Sequence, residues 1–153
     1  DYMIVDLPPG TGDTQLTLSQ KIPVSGAVIV TTPQDIALID AQKGLAMFEK
    51  VNIPILGIVE NMSIHICSNC NHAEEIFGNG GGERMAASSK TKFLGALPLK
   101  LEIRTDVDEG TPSVAKDPES KVSMMYQQIA RNVAATLSLQ SESIGAFPKI
   151  TIE

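Results

Sequence analysis

The stretch DYMIVDLPPGTGD (residues 1–13) decides the fold. Tyr2 to Val5 are apolar or β-favouring, which predicts a buried strand. The strand ends in a carboxylate, Asp6, and a Pro-Gly loop comes next. A carboxylate at the carboxyl end of a parallel strand is placed to hold a water of hydrated Mg²⁺ beside a nucleotide phosphate. Gly10 has no Cβ in the way, so its backbone N–H is free to approach a terminal phosphate. The run has the form of a Walker B strand leading into a phosphate-sensing switch loop. A plain strand, a turn and Asp13 capping a helix account for the same residues, and local physics leaves both readings open. The expected partner, a Walker A loop ending in Gly-Lys-Ser/Thr, occurs nowhere in the 153 residues.

Size and charge narrow the classes. At 153 residues the chain is long enough for one domain with a core. Apolar residues make up 42% and charged residues 20%, as in ordinary globular proteins. A net charge of −6 argues against a nucleic-acid partner, which wants a basic face. No apolar run approaches the roughly 20 residues of a membrane span, and no signal peptide is evident. Two cysteines three positions apart are not a secreted disulfide framework. A cytoplasmic protein with no membrane and no nucleic-acid partner is expected. A chain that opens on a strand, without Met, is expected to be a fragment or processed product lacking its amino-terminal part.

Further strands are predicted at 26–31, 55–61 and 93–97, the first continuous and β-branched as in a strand buried on both faces. Between the first two, Thr32 suits a helix N-cap, Pro33 the first turn and Asp35 the reciprocal position. That helix runs to about Val51 with Leu38, Ala41, Leu45 and Phe48 on one face, and Asn52-Ile53-Pro54 stops it. Residues 64–82 have no helical or strand period. A short helix is expected from Glu83 to Ser89. Asp117-Pro118 opens a last helix with the stripe Val122, Met125, Ile129, Val133 and Leu137. Alternating strands and helices predict an α/β, doubly wound, mostly parallel sheet. One domain is expected over 1–138, with a loop at 64–82 and a tail at 139–153. Ligands of such sheets sit at the carboxyl ends of the strands, where Asp6, Thr32, Asn61 and Pro98 fall.

The segment CSNC (67–70) carries the second constellation. A thioredoxin-like redox pair wants a helix N-terminus, and no helix start succeeds Cys70. Zinc would need His65 and His72 as well, in a tight wrap. An iron–sulfur cluster commonly takes four thiolates, which two copies about a two-fold axis would supply. Two ligand-free surface cysteines remain open too. Gly78, Gly80, Gly81 and Gly82 do not form a phosphate loop, because no Lys-Ser/Thr and no preceding strand accompany them; a flexible turn into a helix is expected instead. Asn61 offers a donor and an acceptor suited to an adenine edge, and an Asx turn equally well. Met124, Met125 and Tyr126 read as core or interface filler.

Taken in order, DYMIVDLPPGTGD, GAVIVTTPQDIALIDA (26–41), ILGIVENMS (55–63), CSNC, IFGNGGG (76–82) and LGALPL (94–99) resemble the Mrp/ApbC family of iron–sulfur cluster carrier ATPases, deviant-Walker relatives of MinD. The resemblance implies a MinD-like P-loop NTPase fold and an ATP-dependent homodimer that binds a 4Fe–4S cluster and hands it to apo-proteins. It implies Asp6 as the Walker B carboxylate holding Mg²⁺ through water, and Gly10 in the second switch. Asn61, Pro98 and Leu99 would border the adenine, and Cys67 and Cys70 would ligate the cluster. The family's Walker A loop and first switch, with its catalytic Asp, are absent from these residues. No catalytic residue is therefore assigned, and this chain alone is expected neither to bind MgATP well nor to hydrolyse it. Two other readings remain: a zinc-binding interaction module, and a positioning ATPase of the MinD class, for which the last helix shows no basic or amphipathic membrane face.

Overall fold

The computed structural model describes residues 2–7, 12, 17 and 21–141. Its elements in order are β1 (Ala27–Thr31), α1 (Asp35–Lys50), β2 (Ile55–Glu60), β3 (His65–Ile66), β4 (Ala73–Glu74), α2 (Gly81–Ser88), β5 (Phe93–Ala96), α3 (Leu101–Asp108), α4 (Ser113–Lys116) and α5 (Lys121–Ser141). Three of the expected strands form, as continuous apolar runs. They assemble in the order β1–β2–β5, with both pairs parallel. The register places Thr31 opposite Glu60, and Glu60 opposite Ala96, so all three strands end on one side.

Helices cover both faces of this sheet. On one, Ile29 and Ile58 pack with Leu45, Met85 and Ala86, joined by Leu38, Ala41 and Phe48 of the expected α1 stripe. On the other, Val59, Leu94 and Leu97 meet Tyr126, Ile129 and Val133 of α5. This is the doubly wound α/β arrangement that the alternation of elements predicts. Ile58 and Leu94 are among the largest fully buried side chains, so the middle of the sheet holds the core.

Tyr2 to Val5 depart from expectation. Residues 2–7 have no regular structure, and Ile4 is 84% exposed. β propensity reports fit to a paired, covered surface, and among the described residues this segment pairs with no strand. Among the described residues no strand pairs with the outer edge of β1, and Val30 is 61% exposed.

Helix boundaries shift for local reasons. α1 starts at Asp35, not at a Thr32 cap: Gln34 holds the cap position with ψ 139° and makes no side-chain cap bond. Its end is as expected, with Asn52 in the left-handed region at φ 57° and Ile53 N donating to Phe48 O at 3.0 Å. α2 starts at Gly81, before the expected Glu83. A Cβ on Gly81 would lie 2.7 Å from Leu38 Cδ1 and 2.8 Å from Pro33 O. Close packing, not a flexible turn, therefore explains Gly81. α5 opens at Lys121, where Ser120 Oγ accepts from Ser123 N at 3.1 Å, rather than at Asp117. Within it Met125 is exposed and Tyr126 takes its place against the sheet. α5 runs on to Ser141, and the tail from 142 lies outside the described residues.

α3 and α4 have no counterpart among the expected elements. They are polar, and a buried carboxyl ties them to α5. Asp106 Oδ1 accepts from Lys116 Nζ at 2.6 Å and Oδ2 from Ser113 Oγ at 2.8 Å, while Ser123 Oγ donates to Ser113 O at 3.0 Å. The Lys116 bond first, and then the Ser113 hydroxyl, hold the Asp106 carboxyl below its ordinary value. A lowered folded-state value contributes stability that is complete above the unfolded carboxylate range, about pH 4, and is lost as pH falls through the folded value. Asp106→Asn is expected to lower stability at neutral pH and to flatten the acid limb of urea midpoint against pH. Parallel limbs in the two proteins would show that Asp106 contributes nothing.

Candidate functional site

The parallel register brings three strand ends to one rim. Asn61 N donates to Thr31 O at 2.7 Å, and Leu97 N to Glu60 O at 2.8 Å. Ser63 then reaches across to Leu97 O through both its N (3.0 Å) and Oγ (3.1 Å). Met62, at φ 55°, turns the chain out of the rim, and Asn61 Oδ1 accepts its N–H at 2.9 Å. This bond is to the next residue, whereas an Asx turn takes the N–H two residues on, and Ser63 N is engaged by Leu97 O; the Asx turn read from the sequence is therefore not what Asn61 makes. Pro98 is buried beside it, and Leu99 N donates to Ile64 O at 2.8 Å. Thr32, Asn61, Pro98 and Leu99 therefore stand on one rim. A cleft of about 440 Å³ runs from Thr32 and Asn61 along β1 to Ala37, Asp40 and Ala41 of α1.

Asp6 is not part of this rim as a strand end. It is exposed on the unpaired segment 2–7. Gly10 lies outside the described residues. The described residues do not form a phosphate cradle, and the sequence has no lysine-bearing Walker A loop to supply one. They do not fit MgATP by themselves.

The thiols occupy the tip of a small hairpin. β3 and β4 pair antiparallel, His65 opposite Glu74 and Ile66 opposite Ala73. Two-residue strands carry no readable period, which is why segment 64–82 is irregular as a sequence. Cys67 N donates to His72 O and Asn71 N to Cys67 O, both at 2.9 Å, closing the CSNC turn. Asn71 takes φ 57° there. The backbone N–H of Cys70 first, then that of Asn69, then the Cys70 side chain, pull the Cys67 thiol below its ordinary value, with desolvation opposing. The turn thus favours a thiolate, the form that ligates metal. Cys67 is half-buried and Cys70 exposed, both as free thiols.

His65 does not join them. Its Nδ1 lies 3.2 Å from Leu99 O, fastening the hairpin to the rim. Among the described residues no group of three or more His, Cys, Asp or Glu side chains is placed to hold a metal ion. The four-ligand zinc site within one chain is therefore not formed. Nor does a helix begin directly after Cys70, which removes the thioredoxin-like geometry.

One residue escaped the sequence reading. Glu60, the last residue of β2, is only 4% exposed, and its Oε2 accepts from Gly82 N at 2.7 Å. The available signal was a carboxyl closing an otherwise apolar strand, ILGIVE.

A family model described as NUBPL iron-transfer P-loop NTPase matches residues 1–134. The "Iron-sulfur cluster carrier protein" of Escherichia coli K12 is 61% identical over 144 residues, covering 94% of this chain and 39% of that protein. The "Iron-sulfur cluster transfer protein NUBPL" of Mus musculus is 51% identical over 142 residues, covering 93% and 44%. The chain thus spans about two-fifths of the length of these relatives. Among solved structures, a nucleotide-binding protein from Archaeoglobus fulgidus in complex with ADP aligns with TM-score 0.62 at 36% identity, over 74% of this chain and 46% of that one. The cell division ATPase MinD of Pyrococcus furiosus aligns with TM-score 0.57 at 24% identity, over 72% and 43%, a likeness of fold alone.

The hairpin geometry sets a reactivity order. In the metal-free protein, the pH profile of iodoacetamide labelling, read by peptide mass spectrometry, should place the Cys67 midpoint below the ordinary thiol range. Cys70→Ala should leave it depressed, because the two backbone donors remain. An unshifted Cys67 midpoint in the parent protein would contradict the turn as described.

Proposed function

The chain belongs to the NUBPL iron-transfer P-loop NTPase family, and on that footing we propose that it is the cargo-holding part of an iron–sulfur cluster carrier. Cys67 and Cys70 ligate a 4Fe–4S cluster shared by two copies of the chain, which then pass it to client apo-proteins. The observation that carries this reading is the hairpin tip: two thiols on one turn, one of them favoured as thiolate by backbone donors, with no third ligand beside them among the described residues. A cluster commonly takes four thiolates. A two-fold pair brings two such turns together, and two-fold dimers are the commonest assembly. The names of the relatives support the cargo.

Transfer is ligand exchange. Each Fe–S bond to Cys67 or Cys70 breaks as a client cysteine bonds the same iron; the client thiol gives up its proton, and the released thiolate takes one. No electrons need to move. A reducing compartment such as the cytoplasm keeps both thiols free between cycles.

The nucleotide part of the proposal belongs to a protein that also supplies a Walker A loop. There Asn61, Pro98 and Leu99 would border the adenine, with Asp6 and Gly10 on the phosphate side. ATP state would alter the dimer interface that holds the cluster, coupling the two sites. Among the described residues the phosphates have no backbone cradle, and the sequence has no Walker A lysine to offer them.

Two measurements test the two parts. Anaerobic reconstitution with iron and sulfide should give visible thiolate-to-iron absorption that Cys67→Ser and Cys70→Ser each abolish; absorption surviving either change would sink the assignment. Isothermal titration of residues 1–153 with MgATP should show no micromolar binding, and saturation in that range would overturn the nucleotide argument.

A further inference from the structure

We propose that Glu60 is a positioning residue for the cysteine hairpin: its bond to Gly82 fixes the returning arm of segment 61–82 and so sets how firmly Cys67 and Cys70 hold their cargo. The inference deepens the carrier reading and rests on it. The segment leaves the sheet at the end of β2 and comes back at the start of α2. Its outgoing arm is fastened by the Ser63, Ile64 and His65 contacts to Leu97 and Leu99.

The returning arm is mostly bonded to itself. Gly78 N donates to Glu75 O at 3.1 Å, Asn79 Nδ2 to Glu75 Oε1 at 2.7 Å, and Arg84 Nη1 to Asn79 O at 2.6 Å. None of these bonds reaches the sheet. The Glu60–Gly82 bond does, at 2.7 Å, and both of its residues are buried. The sequence makes room for it: a Cβ on Gly82 would stand 3.0 Å from Glu60 Cβ and 3.3 Å from Oε2. The carboxyl meets a helix N-terminus, where free N–H groups and the helix dipole favour it.

A buried carboxyl is a costly way to finish an apolar strand, and apolar residues of similar volume stabilise a core as well or better. What a hydrogen-bonded carboxyl adds is direction. Here it fixes where α2 begins, and through Gly78 to Gly80 it limits how far β4 swings from β3. Because Glu60 also pairs with Thr31 and Ala96 through the backbone register, the rim and the thiol hairpin are hung from the same residue.

The test is anaerobic reconstitution of the parent protein, Glu60→Ala, Glu60→Asp and Glu60→Gln, then the rate of iron loss to a chelator. Ala removes the acceptor, Asp keeps the carboxyl but shortens the reach, and Gln keeps an acceptor oxygen at the same place. Iron loss about tenfold faster in the Ala and Asp variants, with Gln within about twofold of the parent, is expected. Parent-like loss in Glu60→Asp overturns the proposal, and that variant decides if Glu60→Ala does not fold. If the parent itself takes up no cluster, the carrier reading fails, and hydrogen exchange of the metal-free proteins decides Glu60 separately. Faster exchange at the Cys67 and Asn71 amides in Glu60→Asp, with Ile58 unchanged, supports the positioning role; unchanged hairpin amides overturn it.

Discussion

β2 is hydrogen-bonded on both edges and covered on both faces, and both the rim and the thiol hairpin hang from its carboxyl end. β1 and β5 flank it in parallel, so Thr31, Glu60 and Ala96 finish side by side. A parallel pair cannot be closed by a two-residue turn; the chain must travel out and back before the next strand. Between β2 and β5 that excursion is residues 61–92, and it carries both thiols. Asn61, Ser63 and Ile64 spend backbone groups on Thr31, Leu97 and Leu99 at or just past the neighbouring strand ends, which makes the rim and the root of the hairpin one hydrogen-bonded unit.

The strong, local signals were legible in the sequence. Continuous apolar runs marked β1, β2 and β5, and the spacing of Leu38, Ala41, Leu45 and Phe48 marked the buried face of α1. Tyr2 to Val5 carry the same kind of signal without forming a strand among the described residues, because side-chain character cannot report whether a pairing edge is present. The helix starts moved for tertiary reasons: Gly81 is admitted to α2 by its closeness to Leu38 and Pro33, which no local rule contains. α3 and α4 depend on Asp106 finding Ser113 and Lys116 along the chain, a polar network that leaves no periodic trace.

The site was legible to a different depth. The spacing of Cys67 and Cys70 left redox, zinc, cluster and ligand-free readings open, and the shared rim of Thr32, Asn61 and Pro98 came from parallel topology, whereas Leu99 came from the resemblance and Asp6 does not join the rim as a strand end. The one-chain zinc reading could be weighed only with the side chains in place. His65 is engaged with Leu99 O, and among the described residues no group of three or more His, Cys, Asp or Glu side chains forms around the two thiols. Glu60 was hidden because a single charged residue at a strand end ordinarily points to solvent; its burial against Gly82 appears only when α2 is in place.

The carrier proposal has one central claim, an incomplete ligand set: each chain would bring two thiolates and need a second chain to complete the site. Native mass spectrometry of anaerobically reconstituted protein tests it most directly. The account predicts a species of two chains with one 4Fe–4S cluster, dissociating to single chains when iron is removed. A single chain carrying a complete cluster of its own would contradict it.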